Sequence, residues 1–109
     1  MIILDTNVIS ELMRRKPSAQ VVTWVAQQPG TELFTTSITE AESFYKIEFL
    51  GRGKRREGLL AAAEGMFSED FAGRVFVFDS DAARVFANIG AARRALGRPI
   101  SHADAQIAA

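Results

Sequence analysis

The sequence predicts an α/β fold built on a parallel sheet, and three observations predict it. Short runs of apolar, β-branched and aromatic residues recur at 2–4, 33–36 and 75–78. Runs of this kind read as strands buried on both faces. The longer segments between them carry apolar residues at helical spacing. Strands that alternate with helices close into a parallel sheet through crossover connections.

Each element follows from local chemistry. Ile2-Ile3-Leu4 is the first strand. Thr6 or Asn7 caps a helix carrying Val8, Ile9, Leu12 and Met13. Arg14-Arg15-Lys16-Pro17 ends it, since cations suit a helix C-terminus and proline stops propagation. Ser18 caps a second helix with Val21, Val22, Trp24 and Val25 inside it, and Pro29-Gly30 turns the chain. Trp24, between apolar neighbours, is expected in the core or a partner interface.

Leu33 to Thr36 is the second strand, followed by a helix from Thr39 to about Leu50. Gly51-Arg52-Gly53 breaks that helix. Lys54 to Phe67 is a further helix, and Val75 to Phe78 the third strand. Asp79 to Leu96 is a long helix with Val85, Ile89, Ala92 and Leu96 on one face, and Gly97 stops it. A last helix starts at Ser101.

Bulk properties bound the function. A chain of 109 residues with 48% hydrophobic content fits one small domain over 1–109. Thirteen basic and thirteen acidic residues cancel, so only local clusters can attract a nucleic acid. The absence of cysteine excludes disulfides and thiolate metal sites, and a single histidine argues against a zinc site. No signal peptide opens the chain, and no stretch reaches the ~20 apolar residues of a membrane span. The expectation is a cytoplasmic protein.

Three carboxylates stand where strand or loop turns into helix: Asp5, Glu42 and Asp104. Gathered, they would form an oxygen-only site for a hard divalent cation, suited to phosphodiester hydrolysis. Taken singly, each reads first as a helix cap: Thr39-x-x-Glu42 and Ser101-x-x-Asp104 match capping boxes, and Asp5 can cap the first helix. Two points favour the site. Glu42 precedes Tyr45 and Phe49 by three and seven residues, beside an apolar stripe where a carboxylate needs a partner. Asp5 emerges at the carboxyl end of a strand, where open α/β sheets bind ligands. Spacing alone does not bring residues 5, 42 and 104 together.

Arg52, Lys54, Arg55 and Arg56 form a cationic cluster after a helix end. It reads as an RNA phosphate contact or as a solvated loop with helix C-terminal charges. Asp79 and Asp81 read as helix caps and His102 as an exposed helix-start residue. A phosphoacceptor receiver domain is disfavoured, because Thr6 and Asn7, not a second acid, follow Asp5.

The chain resembles the PIN-domain ribonucleases, in particular the VapC toxins of type II toxin–antitoxin systems and their FitB-like branch. The segments that carry the resemblance are Ile-Leu-Asp-Thr-Asn-Val-Ile-Ser-Glu-Leu at 3–12, Thr39-x-x-Glu42, Val77-Phe78-Asp79, and Gly97-Arg98-Pro99-Ile100 leading to Asp104. It implies a PIN-like, Rossmann-like three-layer fold with a central parallel sheet. It also implies that Asp5, Glu42 and Asp104 bind Mg2+ or Mn2+ and cleave RNA. Thr6 and Asn7 would support the site, with Thr6 bonded near Asp5. The expected partners are a cognate antitoxin and a second copy of the chain, in a homodimer and a toxin–antitoxin hetero-oligomer.

The sequence departs from the family at Lys46, where a glycine is usual, and at His102, a position of no fixed type. It also stops where the family continues into further strands and a fourth acidic position. That ending implies a fragment, with the first strand left as a sheet edge. The alternative reading is a non-catalytic PIN remnant that only binds an antitoxin.

Overall fold

In the computed structural model every residue is described except Pro99, and every side chain except those of Pro99 and Ala103. The expectation for Pro99 in the segment before the last helix lies outside the described residues. The element order is β1 (Ile2–Ile3), α1 (Thr6–Leu12), α2 (Ala19–Gln27), β2 (Leu33–Thr36), α3 (Ser37–Glu48), α4 (Lys54–Gly65), β3 (Val75–Phe76), α5 (Ser80–Ala95) and α6 (His102–Ala108). A 3-10 turn precedes β2, and a π-helical turn, Met66–Asp70, extends α4. The α/β class and the parallel sheet are as the sequence predicts.

The three strands pair in parallel in the order β1-β2-β3, with Ile2 opposite Leu33, Ile3 opposite Phe34, and Thr35 opposite Val75. The chain divides into two compact units, Met1–Phe76 and Val77–Ala109.

In the first unit the core gathers Leu4, Ile9, Ile47, Ala63, Phe67 and Phe71, with Phe44 tilted against Phe67 at 6.0 Å. Polar groups share this interior: Thr6, Thr35, Thr36, Thr39 and Ser43 are also buried. A buried hydroxyl is tolerated only when it is hydrogen-bonded, and the partners of these five define the site below. Ser18 and α1 are joined through Glu11, whose carboxylate accepts from the Ser18 backbone N–H at 2.9 Å and from Arg14 at 3.1 Å. These bonds hold the Glu11 carboxyl below its ordinary value, the Ser18 N–H contributing most.

In the second unit Asp79 caps α5 by accepting from the Ala82 N–H at 2.9 Å. Gly97 ends that helix at φ +69°, a left-handed conformation that glycine adopts without strain. The bonds Gly97 N–H to Arg94 and Arg98 N–H to Arg93 make a Schellman stop. Phe86 meets Phe78 and His102 edge-on, at 6.2 and 5.7 Å. No helix among the described residues is long and apolar enough to cross a membrane.

Several expectations need correction. Ile3 is 44% exposed, so β1 is not buried on both faces. β1 does end the strand order among the described residues, the sheet edge that the sequence reading expects. Trp24 is 47% exposed and is no core residue. In α5, Val85 and Leu96 are exposed, and the half-buried positions are Ala82, Phe86, Ile89 and Gly90. β3 stops at Phe76, two residues early. Helix α3 begins at Ser37 rather than Thr39, because Thr36 at the end of β2 supplies the cap.

Candidate functional site

The parallel pairing of β1 with β2 sets the site. The Leu4 N–H donates to the Phe34 carbonyl at 2.8 Å, and the Thr35 hydroxyl donates to the Leu4 carbonyl at 3.1 Å. The two strands therefore end side by side, and the first turns of α1 and α3 start from neighbouring positions. This is the carboxyl end of the sheet, where open α/β folds place their ligands.

Asp5 is the N-cap of α1. One carboxylate oxygen accepts from the Val8 N–H at 3.1 Å, and the residue is exposed. Thr6 turns the other way, into the interior. Its hydroxyl donates to Glu42 Oε1 at 2.9 Å, a contact across 36 residues of sequence. The resemblance implies that Thr6 supports the site by bonding near Asp5; the partner of its hydroxyl is Glu42.

A chain of hydroxyls stands behind that bond. Thr39 Oγ1 lies 3.2 Å from Thr6 Oγ1, and Thr36 Oγ1 lies 3.3 Å from Thr39 Oγ1. Each hydroxyl has one proton to give. The Thr6 proton goes to the carboxylate, the closer and charged acceptor. The Thr39 proton then points to Thr6 and the Thr36 proton to Thr39. Thr36 in turn accepts the Thr39 N–H at 3.1 Å, its cap bond. The Ser43 hydroxyl closes the cluster on the Thr39 carbonyl at 2.8 Å. Thr39 is fully buried, so no water competes for its own bonds. The chain has one direction, and it ends on Glu42 Oε1.

Glu42 sits one turn inside α3, half-buried. The capping-box role expected of Thr39-x-x-Glu42 falls instead to Thr36 with Thr39. The apolar stripe expected beside Glu42 is also absent, since Tyr45 and Phe49 are exposed and meet each other edge-on at 4.8 Å. The buried face of α3 is Thr39, Ser43 and Ile47, hydroxylic at its start and apolar at its end. Residues at i, i+4 and i+8 share a helix face, and that spacing was the sequence signal for the buried hydroxyls. Lys46 is exposed and makes no ion pair with Glu42. Asn7 is exposed.

Asp104 belongs to the second unit. It stands exposed on the first turn of α6, where its backbone N–H donates to the Ser101 hydroxyl at 3.1 Å, as the capping reading expects. Within each unit taken by itself, no group of three acidic or histidine side chains among the described residues forms a metal cluster. The donors on the first unit are nonetheless of the right kind for a hard divalent cation. They are carboxylate oxygens only, one on a strand end and one fixed by a hydroxyl through Oε1, with Oε2 accepting no bond among the described residues.

The cationic cluster divides. Arg56 bonds Glu48 at 3.0 Å, while Lys54 and Arg55 face a groove. All three stand in the first turn of α4, not at the helix C-terminus the solvated-loop reading expects.

Comparison with known proteins places the chain in a family. The family profile described as PIN domain matches residues 2–109. The chain is 40% identical to the VapC ribonuclease Y4jK of Sinorhizobium fredii and 37% identical to toxin FitB of Neisseria gonorrhoeae. Each of those alignments covers all of this chain and 78% of the relative. It is 41% identical, with the same coverage, to the plasmid stability protein StbB of Pseudomonas syringae pv. tomato. Among solved structures it resembles FitAB bound to an IR36 DNA fragment, with a TM-score of 0.88 and 36% identity over 99% of this chain and 76% of that one. It also resembles FitAcB from Neisseria gonorrhoeae, with a TM-score of 0.82 and 32% identity over 99% of this chain and 78% of that one.

Proposed function

The chain belongs to the PIN-domain family, and from that premise we propose that it is the toxin of a toxin–antitoxin pair and a metal-dependent endoribonuclease. The relatives named above, a VapC ribonuclease and toxin FitB, support the reading. The single observation that carries it is the Thr6–Glu42 bond, which ties the junction bearing Asp5 to a carboxylate 36 residues away. A surface cap needs no such buried support.

In this reading Asp5 and Glu42 hold Mg2+ or Mn2+, and Asp104 is assigned to the cation by the family resemblance alone. When bound, the cation supplies Lewis acidity and neutralises charge at the scissile phosphodiester. The chain's own residues do the positioning. Thr6 holds Oε1 of Glu42, so the carboxylate keeps one orientation, and Thr39 and Thr36 hold Thr6. Asp5 keeps its backbone fixed by capping α1. The protein works in the cytoplasm as a homodimer, and a cognate antitoxin covers the site until it is released.

The test is cleavage of a single-stranded RNA. The purified chain should cut it with Mn2+ and stop on chelation. Asp5→Ala and Glu42→Ala should each lower the rate more than about 100-fold, beyond the 10–100-fold expected of residues that act through a ligand. Parent-like cutting by either variant would remove it from the catalytic assignment. A chain that binds an antitoxin and leaves RNA intact with Mn2+ would be the non-catalytic alternative.

A further inference from the structure

A groove of about 1060 Å³ lies in the first unit, between the end of α1 and helices α3 and α4. Its charge is one-sided. Arg14, Arg15, Lys16, Lys46, Lys54 and Arg55 line it, and no acid does. Arg14 is partly neutralised by Glu11 at 3.1 Å. The other five make no ion pair among the described residues. In a chain of zero net charge, this separation creates a strong local field.

The placement of two of these cations opposes local stability. Lys54 and Arg55 occupy the first turn of α4, where the positive end of the helix dipole repels them. Gly53, the N-cap, makes no side-chain cap bond. An acid at these positions would suit the helix better, so an anion in the groove answers both the exposed charges and the dipole.

We propose that this groove binds the sugar-phosphate backbone of a single-stranded RNA on its way to the carboxylates. The inference rests on the nuclease reading for the identity of the strand. Continuity supports RNA over a separate protein partner. Lys46 lines the groove one helical turn after Glu42 on α3, so an anionic strand held by Lys46 is already beside that carboxylate. No aromatic residue lines the groove, so it offers no stacking platform; Met13, Ile47, Leu50 and Leu59 add apolar lining, and the phosphate contacts fall to the cations and are independent of sequence.

The test is binding of a labelled single-stranded RNA of mixed sequence to the full chain, with EDTA present so that no strand is cut, across a salt series. For single strands log K falls with log[salt] at about 0.7 per phosphate neutralised. Lys54→Gln with Arg55→Gln should therefore flatten the slope by about 1.4, and Lys46→Gln should flatten it by about half as much. Arg84→Gln, at an exposed cation outside the groove, should match the parent. Lys54→Glu with Arg55→Glu should lose RNA without lowering the melting midpoint, which a merely structural role for these cations would not allow.

Groove variants that bind RNA as the parent does overturn the proposal, whether or not RNA is cut. A parent that binds polyglutamate and no RNA also overturns it, in favour of an acidic protein segment. Groove-dependent binding without cleavage in Mn2+ keeps the groove and removes the nuclease reading. Cleavage that is indifferent to the groove does the reverse.

Discussion

Helices α3 and α4 begin in opposite ways. At the start of α3, Thr36 caps the Thr39 N–H, five buried hydroxyls find partners, and no cation is in the first turn. At the start of α4, a glycine cap makes no side-chain bond, and three cations precede the first acid, Glu57, at the positive end of the dipole. The first start obeys every local rule and holds a carboxylate still. The second breaks local rules on an exposed surface. Sequences depart from local rules mainly where another requirement outweighs them. The comparison thus separates a positioning device from a binding surface within one unit of the fold.

The comparison breaks most sharply at Thr39. Thr39→Val keeps shape but deletes the middle hydroxyl, leaving Thr6 and Thr36 short of a partner in a dry site. It should cost about 1–3 kcal/mol in chemical denaturation. Because Glu42 loses its support, Mn2+ affinity measured by calorimetry should also fall about tenfold, as for other residues behind a metal ligand. Thr39→Ser should restore affinity. A variant that loses stability but keeps Mn2+ affinity would make Thr39 a packing residue only.

The cap alone is a smaller term. Thr36→Ala should cost about 1 kcal/mol, the usual worth of a threonine cap. At α4 the sign reverses: Lys54→Glu should stabilise the fold by about 0.3–1 kcal/mol through the helix dipole. Stabilisation there and destabilisation at Thr36, in the same denaturation assay, would sharpen the contrast.

The smallest effect is one of pH. Glu11 is held below its ordinary value of 4.5 by the Ser18 N–H and by Arg14. A depressed carboxyl adds stability above its unfolded value and loses it as pH falls through the folded one. The parent should therefore lose slightly more stability than Glu11→Gln as pH falls below about 4.5. Equal acid titration of the two proteins would mean that the Glu11 bonds contribute nothing.

Much of this was legible in the sequence. The strands at Ile2 and Leu33 could be read from apolar runs, and the starts of α5 and α6 from their capping residues. Asp5, Asp79 and Ser101 cap where the sequence places caps. The buried polar interior was harder to read, because Thr39 reads as a helix-start residue and a lone serine inside a helix carries no burial signal of its own. Only the fold brings Thr6, from the first junction, against them. The same cause hid the groove. Arg14 to Lys16 and Lys54 to Arg55 lie about forty residues apart in sequence and suit helix ends when read singly. Their meeting with Lys46 is a product of how α1, α3 and α4 pack. Tyr45 and Phe49 misled in the other direction, since large apolar side chains on a helix imply a core face and here lie outside.

The most direct measurement is Mn2+ binding by the parent and by Glu42→Gln, a swap that keeps shape and removes charge. The account predicts that the parent binds Mn2+, that Glu42→Gln binds at least tenfold more weakly, and that the two unfold at the same denaturant midpoint within error. Equal Mn2+ affinity in the two proteins would contradict it, and the hydroxyl chain from Thr36 to Thr6 would then be a device of packing rather than of metal binding.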